Sequence, residues 1–383
     1  MFTQEYLTDL IRDLVQIETE NPPGNEKECA EFIVDWFSDQ DIPASLVYEP
    51  YPDRPQAVAE VGTGDPTIVL NGHIDVVPAG DHAEWTYPPY QAKIENERMY
   101  GRGCADMKGG VAVGMLATAT LAQQIQSGNI EGSVIMHAAI GEETAEPGTL
   151  SLLENGYDGT FGVVLEPTSL RTATSEKGLA WYEISVRGEP SHASRPDQGI
   201  NAIQHAMPLL EALTSYDTEV RAQTDELVGS AYATVTEFNA GTKENVVPER
   251  ATLTVDRRFL PNESVSQIDT EISDLLQTVE EQHGIETTWE RTRTYESAAI
   301  NTNSPVAEVF RDESHRIAEI DPEPWGIKAS TDVRNFVNDC NMEAITWGPG
   351  DTSEAHTYDE SLDIPEAYVG YEILCSAAER LLS

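Results

Sequence analysis

Four short apolar runs constrain what this chain can fold into. Residues 57–61, 67–71, 133–139 and 161–165 are continuous and β-branched, the pattern of strands buried on both faces. Between them, Lys108 to Gln126 is rich in Ala, Gly and Met and reads as a buried helix. Strand, helix and strand in this rhythm predict an α/β domain with a largely parallel central sheet flanked by helices. Helices are also expected near residues 3–17 and 25–39, with Asn21-Pro22-Pro23-Gly24 as the break between them.

The character then changes. Residues 180–187 alternate apolar and polar, which fits a strand with one wet face. A helix-like segment at 199–214, alternating strands at 231–238 and 250–259, a helix near 264–282 and a strand near 286–293 follow. This is an α+β unit of β-α-β-β-α-β type. The earlier style resumes with a helix near 304–318, a strand at 343–347 and a closing helix at 365–382. The economical reading is one α/β domain, residues 1–176 and 292–383, interrupted by a smaller α+β unit at 177–291. A length of 383 residues fits one domain carrying such an insertion.

The 67 acidic residues against 23 basic ones give a net charge of −44, and only six residues are lysine. That charge repels phosphate backbones and anionic lipid, so neither nucleic acid nor a membrane surface is an expected partner. The acid is spread through ordinary apolar periodicity rather than gathered in a tail. So acidic and lysine-poor a surface predicts a halophilic source, where salt screens the self-repulsion. Residues 1–5 lack the basic start and apolar core of a signal peptide, and no apolar run reaches the ~18 residues of a membrane span. The cysteines at 29, 104, 340 and 375 lack zinc-finger or redox spacing and read as reduced thiols in a cytoplasmic protein.

Five stations of histidine and acid punctuate this frame. They are Gly72-His73-Ile74-Asp75, the loop Gly101 to Gly110 containing Asp106, Gly141-Glu142-Glu143, Glu166-Pro167 and Ala355-His356. His and carboxylate side chains suit hard or borderline divalent cations. His73 and Asp75, two apart at the end of an apolar run, can share one face, and strand ends of α/β sheets are where ligands bind. Asp106 sits among glycines that tolerate unusual backbone angles. Glu142 and Glu143 end another run, where adjacent strand residues point opposite ways, so that one could bind metal while the other faces a substrate. Asp106, Glu143 and Glu166 carry three negative charges, which two divalent ions and a bridging hydroxide would neutralise. Glu142, held off the metal, is then the natural general base. Each station alone has a bland reading as a turn or a solvated surface. Five at successive strand ends do not.

With these motifs the sequence resembles the dinuclear-zinc deacylase and peptidase family of acetylornithine deacetylase, succinyl-diaminopimelate desuccinylase, aminoacylase-1 and glutamate carboxypeptidase. The resemblance runs from about Leu10 to Leu381 through Gly-His-x-Asp-Val-Val-Pro at 72–78, Gly101–Gly110, Glu142-Glu143, Glu166-Pro167-Thr168 and the Gly-Pro-Gly…Ala-His…Asp-Glu tail at 348–360. It implies one metal on His73, Glu166 and Asp106, and another on Glu143, His356 and the same Asp106. It also implies a cis peptide after Asp106, Asp75 as the group orienting His73, and Glu142 as general base. The inserted unit looks like the family's lid and dimerisation domain. There His192 matches the residue that steadies the tetrahedral oxyanion, and Asn245 and Arg258 match positions that grip the substrate carboxylate. Arg257 is the immediate neighbour of Arg258, and family spacing selects the latter. Thr144-Ala145-Glu146-Pro147-Gly148, Cys104 and Tyr358 depart from the pattern and cloud substrate choice.

The resulting expectation is a cytoplasmic, homodimeric metallohydrolase from a halophilic, archaeal source. It would remove an acetyl- or succinyl-type group from an N-acyl amino acid through a metal-bridging hydroxide and Glu142. Zinc suits the ligands, and cobalt or manganese would fit the same set. The rival readings are a metallo-dipeptidase or carboxypeptidase acting on peptides, and a catalytically silent metal-binding protein.

Overall fold

The computed structural model describes all 383 residues, which divide into two compact units. Unit 1 comprises Met1–Thr174, Ala299–Ile327 and Thr331–Ser383, and unit 2 comprises Ser175–Ala298 with Lys328–Ser330. The strands are, in order, β1 (Ala44–Val47), β2 (Gln56–Gly62), β3 (Thr67–His73), β4 (Lys93–Glu95), β5 (Arg98–Tyr100), β6 (Ser133–Ala139), β7 (Phe161–Val164), β8 (Ala173–Glu176) and β9 (Gly178–Arg187). They continue with β10 (Thr224–Asp225), β11 (Gly229–Ser230), β12 (Tyr232–Ala240), β13 (Arg250–Phe259), β14 (Thr287–Tyr295), β15 (Ala298–Ala299), β16 (Trp325–Ile327), β17 (Glu343–Thr346) and β18 (Ser361–Asp363). The helices are α1 (Gln4–Gln16), α2 (Lys27–Asp39), α3 (Gly109–Gln126), α4 (Gly148–Glu154), α5 (Ala202–Val220), α6 (Val265–His283), α7 (Pro305–Ala318) and α8 (Ile364–Leu381).

Unit 1 is built on a mixed, largely parallel sheet in the order β1-β2-β6-β3-β7-β17-β8-β15, with β16 beside β8. The centre, β6, β3, β7 and β17, is parallel, whereas β1, β2 and β8 pair antiparallel. Every residue of β6 is buried, as continuous apolar runs require. Helix α3 is buried from Gly109 to Ala122 and packs on α8 and on the central strands, so it is apolar all round rather than amphipathic. Two helices are capped by side chains: Thr3 accepts from Tyr6 N, and Asp363 accepts from Glu366 N. Trp347, fully buried at the end of β17, donates from Nε1 to Leu170 O (2.9 Å) and Ser314 Oγ (3.1 Å) and meets Phe310 edge-on. It anchors the chain where Gly348-Pro349-Gly350 begins.

Unit 2 is an antiparallel sheet in the order β12-β13-β9-β14 with α5 and α6. Its alternating strands bury one face: in β13 Ala251, Leu253, Val255, Arg257 and Phe259 are buried and the residues between are not. Ser264 and Gln267 form a capping box at α6, and Asn201 caps α5.

Candidate metal centre

Sheet connectivity in unit 1 gathers the stations at the carboxyl ends of the parallel strands. His73 is the last residue of β3, Glu166 lies just past β7, Glu142 and Glu143 lie past β6, and His356 is in the loop after β17. Asp106 comes from the tight turn Cys104–Lys108 that leads into α3, and its peptide bond to Met107 is cis. Two glycines let Glu166 reach its place. A Cβ on Gly110 would lie 2.1 Å from Leu165 O, and one on Gly348 would lie 2.5 Å from Leu165 O and 2.7 Å from Glu166 O.

The side chains converge in two groups. His73, Asp106 and Glu166 bring one ligand atom each within 4.8 Å of one another, and so do Asp106, Glu143 and His356. Asp106 belongs to both through different oxygens. Oδ1 lies 3.2 Å from His73 Nε2, and Oδ2 lies 3.3 Å from His356 Nε2. Glu166 Oε1 is 3.7 Å from His73 Nε2, and Glu143 Oε2 is 3.0 Å from His356 Nε2. His73 is buried, whereas the His356 side chain is 54% exposed and so leaves this group accessible to solvent.

Electrostatics express the crowding. Burial raises the carboxyls of Glu166 and Glu143, and the Asp106 charge beside them raises both further. Burial opposes ionisation of Asp106 too, but hydrogen bonds with His356 and His73 hold its carboxyl well below the usual range. The same bonds, to Asp106 and then Glu143, lift His356 to about 10. Burial disfavours charge on His73, yet Asp106 and Glu166 raise it well above its ordinary value. These residues therefore need positive charge at two places. Divalent cations match the donor set of two imidazoles and three carboxylates, and Glu143 Oε1 is buried without any hydrogen-bond partner. The residues fit two metal ions.

Glu142 departs from the strand-alternation expectation. Strand β6 ends at Ala139, Gly141 takes a left-handed conformation (φ 80°), and Glu142–Thr144 form a 3-10 turn. A turn, not a pleat, separates the Glu142 and Glu143 side chains. Burial raises the Glu142 carboxyl well above its ordinary value; the His73 charge works against this and the Asp332 charge adds to it. Asp75 meets the His73 ring chiefly through its backbone. It lies beyond the end of β3, and its backbone carbonyl, 2.9 Å from His73 Nδ1, orients the ring, while Oδ1 stands off at 3.7 Å. The buried Asp75 carboxylate instead accepts from Gly141 N (2.8 Å), Glu143 N (3.2 Å) and Asn21 Nδ2 (3.0 Å), tying the glutamate turn to the His73 strand. Sequence reasoning missed Asn21, Asp332 and Arg334. Asn21 was legible only as part of a helix break, and Asp332 and Arg334, whose charges act on Glu142, carry no pattern.

The other residues expected from the sequence, His192, Asn245 and Arg258, lie in unit 2. Ala193 N donates to Asn245 O (3.0 Å) and Val247 N to Ser191 O (2.9 Å), so the His192 and Asn245 segments pair with each other. Ser194 N donates to His192 Nδ1 (3.1 Å), which leaves the proton of the neutral ring on Nε2. Arg257 is fully buried, bound to Glu263, to the Tyr216 hydroxyl (3.1 Å) and to Arg258 O (2.6 Å). Arg258 is partly exposed and paired with Asp256 at 2.8 and 3.1 Å.

Mixed sheet, strand-end position and paired ligand groups together define an α/β protein with a candidate two-metal site. Peptidase family M20/M25/M40 matches residues 69–380, and the chain belongs to that family. Among curated relatives, a probable succinyl-diaminopimelate desuccinylase of Staphylococcus epidermidis is 28% identical over 390 residues, covering 94% of each chain. N-formyl-4-amino-5-aminomethyl-2-methylpyrimidine deformylase of Halalkalibacterium halodurans is 25% identical over 393 residues, covering 95% of this chain and 91% of that protein. Among solved structures, the M20 family metallo-carboxypeptidase Sso-CP2 of Sulfolobus solfataricus has the same fold, with a TM-score of 0.79 over 99% of both chains at 18% identity.

Proposed function

We propose that this chain removes an acetyl- or succinyl-type acyl group from an N-acyl amino acid, with two divalent ions, zinc by preference, held by His73, Asp106, Glu143, Glu166 and His356. The observation that carries this reading is the Asp106 carboxylate, whose two oxygens face two different imidazoles. Bound ions supply Lewis acidity toward an amide carbonyl and toward water.

The chain's own residues do the rest. Glu142, with its proton affinity raised by burial, takes a proton from the attacking water as the C–O bond forms. It returns that proton to the amine as the C–N bond breaks. Asp75 holds the Glu142–Thr144 turn and, through its carbonyl, the His73 ring. His192, donating from Nε2, steadies the developing oxyanion, and Arg258 with Asn245 holds the substrate carboxylate. The desuccinylase and deformylase names of the relatives support amide hydrolysis on a small molecule. A catalytically silent metal protein would have no use for a carboxylate such as Glu142 beside the ligands.

The domain reading, an inserted lid at about residues 177–291 through which two copies pair, is part of the same proposal. Five of the nine exposed large apolar side chains, Ile200, Ile203, Met207, Phe238 and Val246, fall between residues 200 and 246, and β12 is an edge strand. A cytoplasmic, halophilic and archaeal setting accounts for the −44 charge, and no helix is long and apolar enough to cross a membrane.

A hydrolysis panel of N-acetyl-amino acids, N-succinyl-amino acids and dipeptides, run in high salt with added zinc or cobalt, tests the reading. Acyl-amino acids should turn over and Glu142→Ala should abolish the activity. Turnover of dipeptides alone would establish the peptidase alternative, and undiminished hydrolysis by Glu142→Ala would remove the mechanism.

A further inference from the structure

One buried carboxylate in unit 1 has no part in the chemistry above. Glu360 is fully buried at the end of the loop that carries His356. Its Oε2 accepts from Arg102 Nη1 (2.7 Å) and Gly103 N (3.0 Å), and its Oε1 from Ala105 N (2.9 Å) and Asp106 N (3.1 Å). Its backbone oxygen also accepts from Gly101 N (3.0 Å). Four donors fill the usual capacity of a carboxylate, so no lone pair is left for a metal ion. Three of the donors are amides of one turn, an anion-binding nest closed around a side chain from a distant part of the sequence.

The outer side of this contact is braced. The Arg102 guanidinium sits 5.2 Å from the Trp85 ring centroid, and Trp85 meets Tyr358 edge-on at 6.1 Å. Asp359, next to Glu360, accepts from Thr86 N and Thr86 Oγ1, both at 2.7 Å. The stretches 101–106 and 356–360 are thus clasped together, and each carries one member of the Asp106–His356 pair.

We propose that Glu360 is a positioning residue that registers the bridging Asp106 against His356. The inference rests on the reading that the two groups hold metal. It extends that reading by assigning the spacing of the second group to an interaction outside it. The ion on Asp106, Glu143 and His356 has two ligands tied to Glu360. The ion on His73, Asp106 and Glu166 has one. Loss of the Glu360 carboxylate therefore weakens the two ions unequally.

The test is Glu360→Gln, in which an NH2 group faces donors where an oxygen accepted. Zinc and cobalt are titrated into metal-free protein in high salt by calorimetry, with the cobalt absorption spectrum and the metal-free melting point recorded alongside. One ion should weaken by about 10–100-fold, the range for loss of a group supporting a ligand, and the other by less. The cobalt spectrum should change, and kcat should fall with KM nearly constant. Arg102→Lys, which keeps a positive charge beside Glu360, should give a smaller loss at the same ion and carries the test if Glu360→Gln does not fold. Unchanged affinities and spectrum in a folded variant overturn the proposal, as does equal weakening of both ions. Wild-type protein that binds fewer than two ions overturns the metal reading instead.

Discussion

Adjacent arginines in β13 should fail in opposite ways. Arg257→Met removes the cation from a buried network, leaving Glu263 and the Tyr216 hydroxyl without the guanidinium that joins them. Breaking a buried pair from one side costs about 3–5 kcal/mol. Arg258→Met removes a partly exposed guanidinium paired with Asp256, for which about 0–1 kcal/mol is the expected loss of stability. If Arg258 holds the substrate carboxylate, its removal forfeits a charged hydrogen bond of about 1.5–3 kcal/mol, or roughly 10- to 150-fold in kcat/KM. Urea unfolding at fixed molar KCl reads the first effect. Hydrolysis of an N-acyl amino acid against its carboxamide analogue reads the second, since only the acid should respond to Arg258→Met. Equal destabilisation by both substitutions, or a kcat/KM loss confined to Arg257→Met, would refute the assignment.

Three further outcomes follow from single residues and from charge. Burial pushes the His137 imidazole from 6.5 down to about 4, against the raising effect of its bond to Tyr157 O, so the unfolded chain takes up the proton first as pH falls. Its contribution is complete above about pH 6.5 and is lost toward pH 4; His137→Gln should abolish roughly 2 kcal/mol of the stability difference between pH 7 and pH 5, read from urea midpoints. Gly348→Ala should displace Leu165 and Glu166 and weaken zinc binding measured by calorimetry; an affinity within twofold of wild type would count against the close approach. Melting in about 0.1 M and in molar KCl should differ, with the higher value in salt, because −44 charges repel in dilute buffer; equal melting points would remove the halophilic reading.

Periodicity carried most of the frame. The runs 67–71 and 133–139 became β3 and β6 because continuous β-branched residues suit strands covered on both faces. Direction was not legible: the run 57–61 looks the same, yet β2 pairs antiparallel with β6. Short elements with few apolar residues, such as α4 and the three-stranded sheet β18-β5-β4, carry too little pattern to be read. Residue type found the side chains that converge in the two groups, but not the parts that depend on tertiary geometry. Gly141 ends β6 early and replaces alternation with a turn, and Asp75 serves two backbones at once. One signal was present and unused. Ala251, Leu253, Val255 and Phe259 already mark the buried face of β13, and position 257 falls on it by alternation, which leaves Arg258 outward.

The central claim is that Asp106 joins two metal ions. Elemental analysis of zinc-loaded, dialysed protein, run beside Asp106→Ala, tests it most directly. Two zinc ions per chain are expected for the wild type, and the substitution should lower the number and abolish hydrolysis. One ion or none per wild-type chain, or two ions retained by Asp106→Ala, would contradict it.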